Sequence, residues 1–229
     1  MKRRKMKDKS AEPFVLIHGG NMSTDTWNKL AKSNDYPHGS LLGGKIWDTI
    51  IPILKTHNHL VFAPTLKDEH ESNLTEHIEQ ICTLLTENDL KDVILVGHSY
   101  GGMIITGVAA KIPEKINHLV YIDAALPDPG QSLFDLIISG GIDPMSFPGL
   151  EPAPPYVEKI QFNPDKLKKL SKTYILCTKS EFAVVTHVAR EKIAVSKGNW
   201  TYIELAASHV PMADTPEQLA QLLLDISAE

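Results

Sequence analysis

Val93-Ile94-Leu95-Val96-Gly97-His98-Ser99-Tyr100-Gly101-Gly102-Met103-Ile104-Ile105 decides the fold. Four β-branched or leucine residues run without alternation, as in a strand buried on both faces of a parallel sheet. Gly97-His98-Ser99-Tyr100-Gly101 has the pattern G-x-S-x-G, and a helix-forming apolar stretch follows. A serine hydroxyl is a poor nucleophile and has to be held against a base. A sharp strand-to-helix turn lifts Oγ clear of the backbone, and glycines on either side supply room where a Cβ would clash. Gly97 and Gly102 also have the spacing of a phosphate loop, but Met103 stands where the phosphate-binding lysine is required, and no G-x-G-x-x-G is present here. Ser99 is therefore the expected nucleophile.

Outward from this turn, short apolar runs alternate with helical patterns. Residues 14–17, 60–63, 93–96, 119–122, 174–177 and 202–205 read as strands, and 47–55, 74–86, 103–111, 182–196 and 216–227 as helices. Strand and helix taking turns predicts a doubly wound α/β fold. Eight prolines between 127 and 172 exclude regular core helix or central strand there, so this stretch is expected to form a lid over the sheet. A base is needed downstream of the nucleophile. His209 follows the last expected strand and precedes the last expected helix, where the Ser-then-His order of this turn type requires it. His98, inside the turn, is expected to point away from the reacting side. The oxyanion donors are expected to be the amide of Tyr100, directly after the nucleophile, and that of Gly20, in the loop after the first strand.

Composition narrows the function. The 229 residues suit one domain, assigned to 13–229, after a basic arm at 1–12 that is expected to be disordered. The formal net charge of -5 gives no general attraction to nucleic acid or anionic membranes. No apolar run approaches the ~18 residues of a membrane span, and no apolar h-region follows the basic start. A cytoplasmic location is expected, with Cys82 and Cys177 as buried thiols.

The blocks FVLIHGG (14–20), GGKIWDTIIPIL (43–54), VILVGHSYGGMII (93–105), HLVYIDAALPDPGQS (118–132), KTYILCT (172–178) and SHVPMADTPEQLAQLL (208–223) together resemble the small α/β-hydrolases around plant methylesterases, hydroxynitrile lyases and related bacterial esterases. The resemblance implies the α/β-hydrolase fold, catalytic roles for Ser99 and His209, no metal or organic cofactor, and a homodimer as a candidate state. Three departures stand out. Asn21 to Leu42 form an insertion, expected to add a flap near the pocket. The strand matched by KTYILCT is where the family's acid usually follows, but Ser180 stands at that position. Glu181, one residue on, is the first choice of acid, narrowly ahead of Asp123 after the strand at 119–122; a dyad without acid stays open. Gly19 and Val210 stand where the lyases carry threonine and lysine. The expected activity is cleavage of a small or medium carboxylic ester through an acyl-enzyme at Ser99. A cyanohydrin lyase and a non-catalytic small-ligand receptor are the alternatives.

Overall fold

The computed structural model describes residues 11–33, 36–146, 150–196 and 198–228. Most of the basic arm, at 1–10, lies outside the described residues. The strands are β1 (Phe14–Ile17), β2 (Val61–Phe62), β3 (Val93–His98), β4 (Ile116–Ile122), β5 (Ser171–Cys177) and β6 (Trp200–Leu205). They form one sheet in the order β2-β1-β3-β4-β5-β6, and every neighbouring pair is parallel. The helices are α1 (Thr24–Ala31), α2 (Ile51–Thr56), α3 (Leu74–Glu87), α4 (Gly101–Lys111), α5 (Leu133–Ser139), α6 (Pro154–Val157), α7 (Ala183–Val195), α8 (Pro211–Asp214) and α9 (Pro216–Ser227).

Parallel neighbours need crossovers, and the helices that make them cover both faces of the sheet. Alternation along each strand therefore feeds two cores. Val15 and Ile17 of β1 face the cluster that includes α3 and α4, while Phe14 and Leu16 face the cluster that includes α2 and α9. Helix α3 starts at a capping box, in which the Asn73 side chain accepts from the Glu76 amide and Glu76 reaches back to the Asn73 amide. Leu74, Ile78, Ile81 and Leu85, spaced three and four apart, put one face of α3 into the first core. Helix α4 is buried from Gly101 to Ala110, which explains why its sequence is apolar all round.

The proline-rich stretch between β4 and β5 carries α5 and α6, so it is less irregular than the prolines alone suggest. Ser132 and Asp135 make a capping box that starts α5, and prolines occupy the first turn of α6, where a missing N–H costs nothing. The insertion at 21–42 also contains a helix. Ser23 caps α1, and Trp27, Met22 and Leu42 are buried in the second core. The insertion thus buries hydrophobic side chains as well as edging the pocket.

Candidate active site

The turn after β3 has the strain expected of it. Ser99 sits at φ +55°, a conformation uncommon for a residue with a side chain. It is held there on both sides: its amide donates to Ile122 O at 3.2 Å, and its carbonyl accepts from Gly102 N at 3.1 Å and Ala125 N at 3.0 Å. A Cβ on Gly97 would lie 2.7 Å from Gly101 O, so the turn closes only with glycine at that position.

His209, on the loop between β6 and α8, brings Nε2 to 2.9 Å from Ser99 Oγ. Its Nδ1 lies 2.6 Å from Asp123 Oδ2. A carboxylate can only accept, so Nδ1 carries the proton and Nε2 is free to accept from the serine hydroxyl. Asp123 is fully buried and follows β4 directly, at φ +45°. Its other partners are the Cys177 amide, donating to Oδ1 at 3.2 Å, and the Ser180 hydroxyl, donating to Oδ2.

The preference for Glu181 is thereby corrected. Its carboxylate accepts from the backbone amide of His209 at 3.4 Å, while Asp123 meets the imidazole. The physical reason is register. Asp123 leaves β4 beside the end of β5, and parallel neighbours lie only ~4.8 Å apart, so it reaches the same point in space as a residue following β5. Ser180, which stands where an aspartate was expected, instead hydrogen-bonds that displaced carboxylate.

His98 lies beneath His209 rather than in the reacting space. Its Nε2–H donates to His209 O at 2.6 Å, and the two ring centres are 4.7 Å apart. Burial holds its pKa well below the ordinary range, so a neutral ring supports His209. Phe182 packs on His209 with ring centres 4.8 Å apart.

The loop after β1 presses against Ser99. A Cβ on Gly19 would lie 2.9 Å from Ser99 Cβ. His18 fastens this loop: Nδ1–H donates to Gly19 O at 2.7 Å, and Nε2 accepts from Leu66 N at 3.0 Å. Burial takes the His18 pKa down to about 4, which keeps this tautomer neutral. The stretch between β4 and β5 reaches the same loop. Tyr156 of α6 covers Gly20 so closely that a Cβ there would come within 2.3 Å of its hydroxyl. The Tyr156 hydroxyl accepts from Asn21 N at 2.8 Å and donates to Glu69, whose carboxylate also accepts from Asn21 N at 2.8 Å. The Tyr100 ring meets Tyr156 edge-on, and its hydroxyl pairs with His77 Nδ1 at 3.0 Å. These contacts of Tyr156, Glu69 and His77 join residues far apart in sequence, and sequence reasoning missed them. A cavity of about 150 Å³ opens here, lined by Gly20, Tyr100 and Tyr156 together with Met22, Ser23 and Leu41 from the insertion.

Residues 12–203 match the family model described as the alpha/beta hydrolase fold. This chain belongs to the α/β-hydrolase family. Among curated relatives, a carbendazim-hydrolysing esterase of Nocardioides sp. is 41% identical over 109 residues, covering 44% of this chain and 45% of the relative. Methylesterase 8 of Arabidopsis thaliana is 30% identical over 146 residues, covering 58% and 53%. The chain spans about half the length of the curated relatives it matches. Two solved α/β-hydrolases align over nearly the whole fold. A pyrethroid hydrolase from Sphingobium faniae is 19% identical with a TM-score of 0.71, covering 95% of this chain and 97% of the other. An extracellular α/β-hydrolase from a Paenibacillus species is 22% identical with a TM-score of 0.70, covering 93% and 98%. Among the described residues no group of three or more His, Cys, Asp and Glu side chains is disposed to hold a metal ion, and no helix is long and apolar enough to cross a membrane. Cys82 and Cys177 are free and buried.

Proposed function

We propose that this α/β-hydrolase is a serine esterase acting on small carboxylic esters through an acyl-enzyme at Ser99. The single observation that carries the reading is the unbroken chain from Ser99 Oγ through His209 to Asp123, with heavy-atom spacings of 2.9 and 2.6 Å. Ser99 Oγ attacks the ester carbonyl as its proton passes to His209 Nε2. The buried Asp123 carboxylate holds the imidazole orientation and stabilises the imidazolium that forms. The oxyanion is taken by the amides of Gly20 and Tyr100, the latter at the start of α4, where the helix dipole favours negative charge. The imidazolium then protonates the leaving alcohol. Water, deprotonated by the same His209, attacks the acyl-enzyme; the carboxylic acid leaves and Ser99 recovers its proton.

The named activities of the relatives support this class: several are esterases or methylesterases. The small cavity beside Gly20 and Tyr100 favours a compact group on one side of the ester. Stoichiometric labelling of Ser99 by an active-site phosphonate, with turnover of short p-nitrophenyl or methyl esters, is the expected result. A folded protein that takes up no phosphonate and cleaves no ester of the panel would defeat the reading in favour of a ligand-binding role.

A further inference from the structure

Lys172 occupies an unusual position. It lies on β5, an interior strand, on the same face as Tyr174 and Leu176, which belong to the first core, and it is only 6% exposed. Its Nζ donates to Leu167 O at 2.8 Å and Leu170 O at 2.6 Å, and lies 5.5 Å from the centre of the Trp200 ring. An ammonium has three donors, so two carbonyls leave one N–H. Among the described residues no carboxylate pairs with it. A buried charge without a counter-charge is costly, and burial accordingly lowers the lysine's pKa.

This lysine lines a cavity of about 380 Å³ bounded by α4, the lid stretch, α7 and the start of β6. Ser99, Asp123, His209 and Gly20 do not line it. Its walls include the rings of Tyr121, Phe162 and Trp200. A second lysine in the wall, Lys192, shows what a compensated ammonium looks like here: it pairs with Asp128 at 2.9 Å and donates to Leu126 O and Gln131 Oε1, each at 2.8 Å. Lys168 at the rim is likewise paired, with Asp165, so of the three lysines that line the cavity only Lys172 has no carboxylate beside it among the described residues. A volume of this size falls in the range of small-ligand pockets, which are mostly apolar with a few placed polar groups.

We infer that this cavity is a second binding site, separate from Ser99, for a small monocarboxylate with a flat apolar body. The carboxylate takes the remaining N–H of Lys172 and the body packs among the three rings. A neutral ligand of the same shape leaves the ammonium uncompensated. A phosphate brings a second charge and more acceptors than this one lysine can match. The inference goes beyond the esterase reading and does not depend on it.

The test is calorimetric titration of the full chain with 1-naphthoate and with neutral 1-naphthamide, each before and after treatment with the phosphonate. Naphthoate is expected to bind with one-site stoichiometry to the phosphonate-treated protein, at least tenfold more tightly than the amide. Lys172→Met, which keeps the apolar stem, is expected to weaken naphthoate at least tenfold and to leave the amide unchanged. Naphthoate should also quench Trp200 fluorescence, a signal absent in Trp200→Phe. Equal affinity for acid and amide, or loss of naphthoate binding once Ser99 is phosphonylated, would overturn the inference. So would unchanged affinity in a folded Lys172→Met protein. If that variant does not fold, the acid-to-amide ratio and the Trp200 signal on otherwise unaltered protein still decide. A phosphonate that leaves Ser99 unlabelled counts against the esterase reading alone, because the Lys172 and amide comparisons do not involve Ser99.

Discussion

The strand ends at Ser99 and the cavity at Lys172 bury opposite charges in opposite ways. Asp123 is fully buried and accepts from three donors: His209 Nδ1, the Ser180 hydroxyl and the Cys177 amide. Lys172 is nearly as buried, yet it has two neutral carbonyls and an aromatic face for company, and an open volume beside it. The first arrangement is preorganised. Its dipoles are already aimed where charge develops, which is the condition under which electrostatic catalysis is effective. The second is incomplete, and incompleteness beside a cavity is what a ligand site presents before it is filled. The same low dielectric underlies both: it strengthens a satisfied network and penalises an unsatisfied group.

The largest expected effect breaks the satisfied side outright. Ser99→Ala should lower ester turnover by about 10⁶ while leaving the melting temperature close to that of the parent, measured by kcat and thermal melting. Retained turnover in that variant would remove the nucleophile from the mechanism. Next, Asp123→Asn should cost about 10⁴ in kcat by stabilising the wrong imidazole tautomer. Glu181→Gln should change kcat by about twofold at most, because its contact is to the His209 backbone and the imidazole already has its acceptor. The reverse order would restore Glu181 as the acid. Smaller again is Tyr156→Phe. Losing a whole oxyanion donor costs about 10²–10³, and this change only loosens the loop that bears Gly20, so a fall of about tenfold in kcat with little change in KM is expected. A change confined to KM would make Tyr156 a substrate contact instead.

The smallest effect is on stability. His18 has an ordinary pKa near 6.5 when unfolded and about 4 when folded, so between those values the unfolded chain binds the proton and the folded chain does not. Stability therefore falls as pH drops from about 6.5 to about 4, by an amount on the order of 3 kcal/mol from this group, and is present in full above 6.5. Chemical denaturation across that window checks it. In His18→Gln, which keeps polar atoms near both contacts, the acid-side slope should flatten.

Much of the sheet and the strained turn at Ser99 were legible because they are local. The apolar run at 93–96, the glycines around Ser99 and the helical pattern after it are consecutive residues whose joint reading needs no knowledge of neighbours. The placing of His209 beside Ser99 was legible from chain order. The carboxylate that meets its imidazole was not, because choosing between Glu181 and Asp123 depends on which strand end lies nearer the imidazole, a lateral fact that no linear spacing contains. The site also uses Ser180 as a donor to Asp123, a role visible only once β4 and β5 lie side by side. In the insertion and the lid, the prolines and polar residues drew attention away from short capped helices. Ser23 before α1, and Ser132 with Asp135 at α5, were readable start signals. The contacts of α6 with Gly20 and Asn21 span well over a hundred positions and left no sequence trace.

The long reach of the Ser99–His209 contact, 110 positions along the chain, has a consequence for how the molecule is made. Ser99 follows β3, near the middle of the sheet, whereas His209 hangs on the loop after β6, the edge strand. Early in assembly the strained turn can be present with no partner for its hydroxyl, and contacts that close such large loops are slow to form. Recovery of catalytic competence during refolding should thus trail the return of helical signal, which makes ester turnover a reporter of the last docking event rather than of collapse.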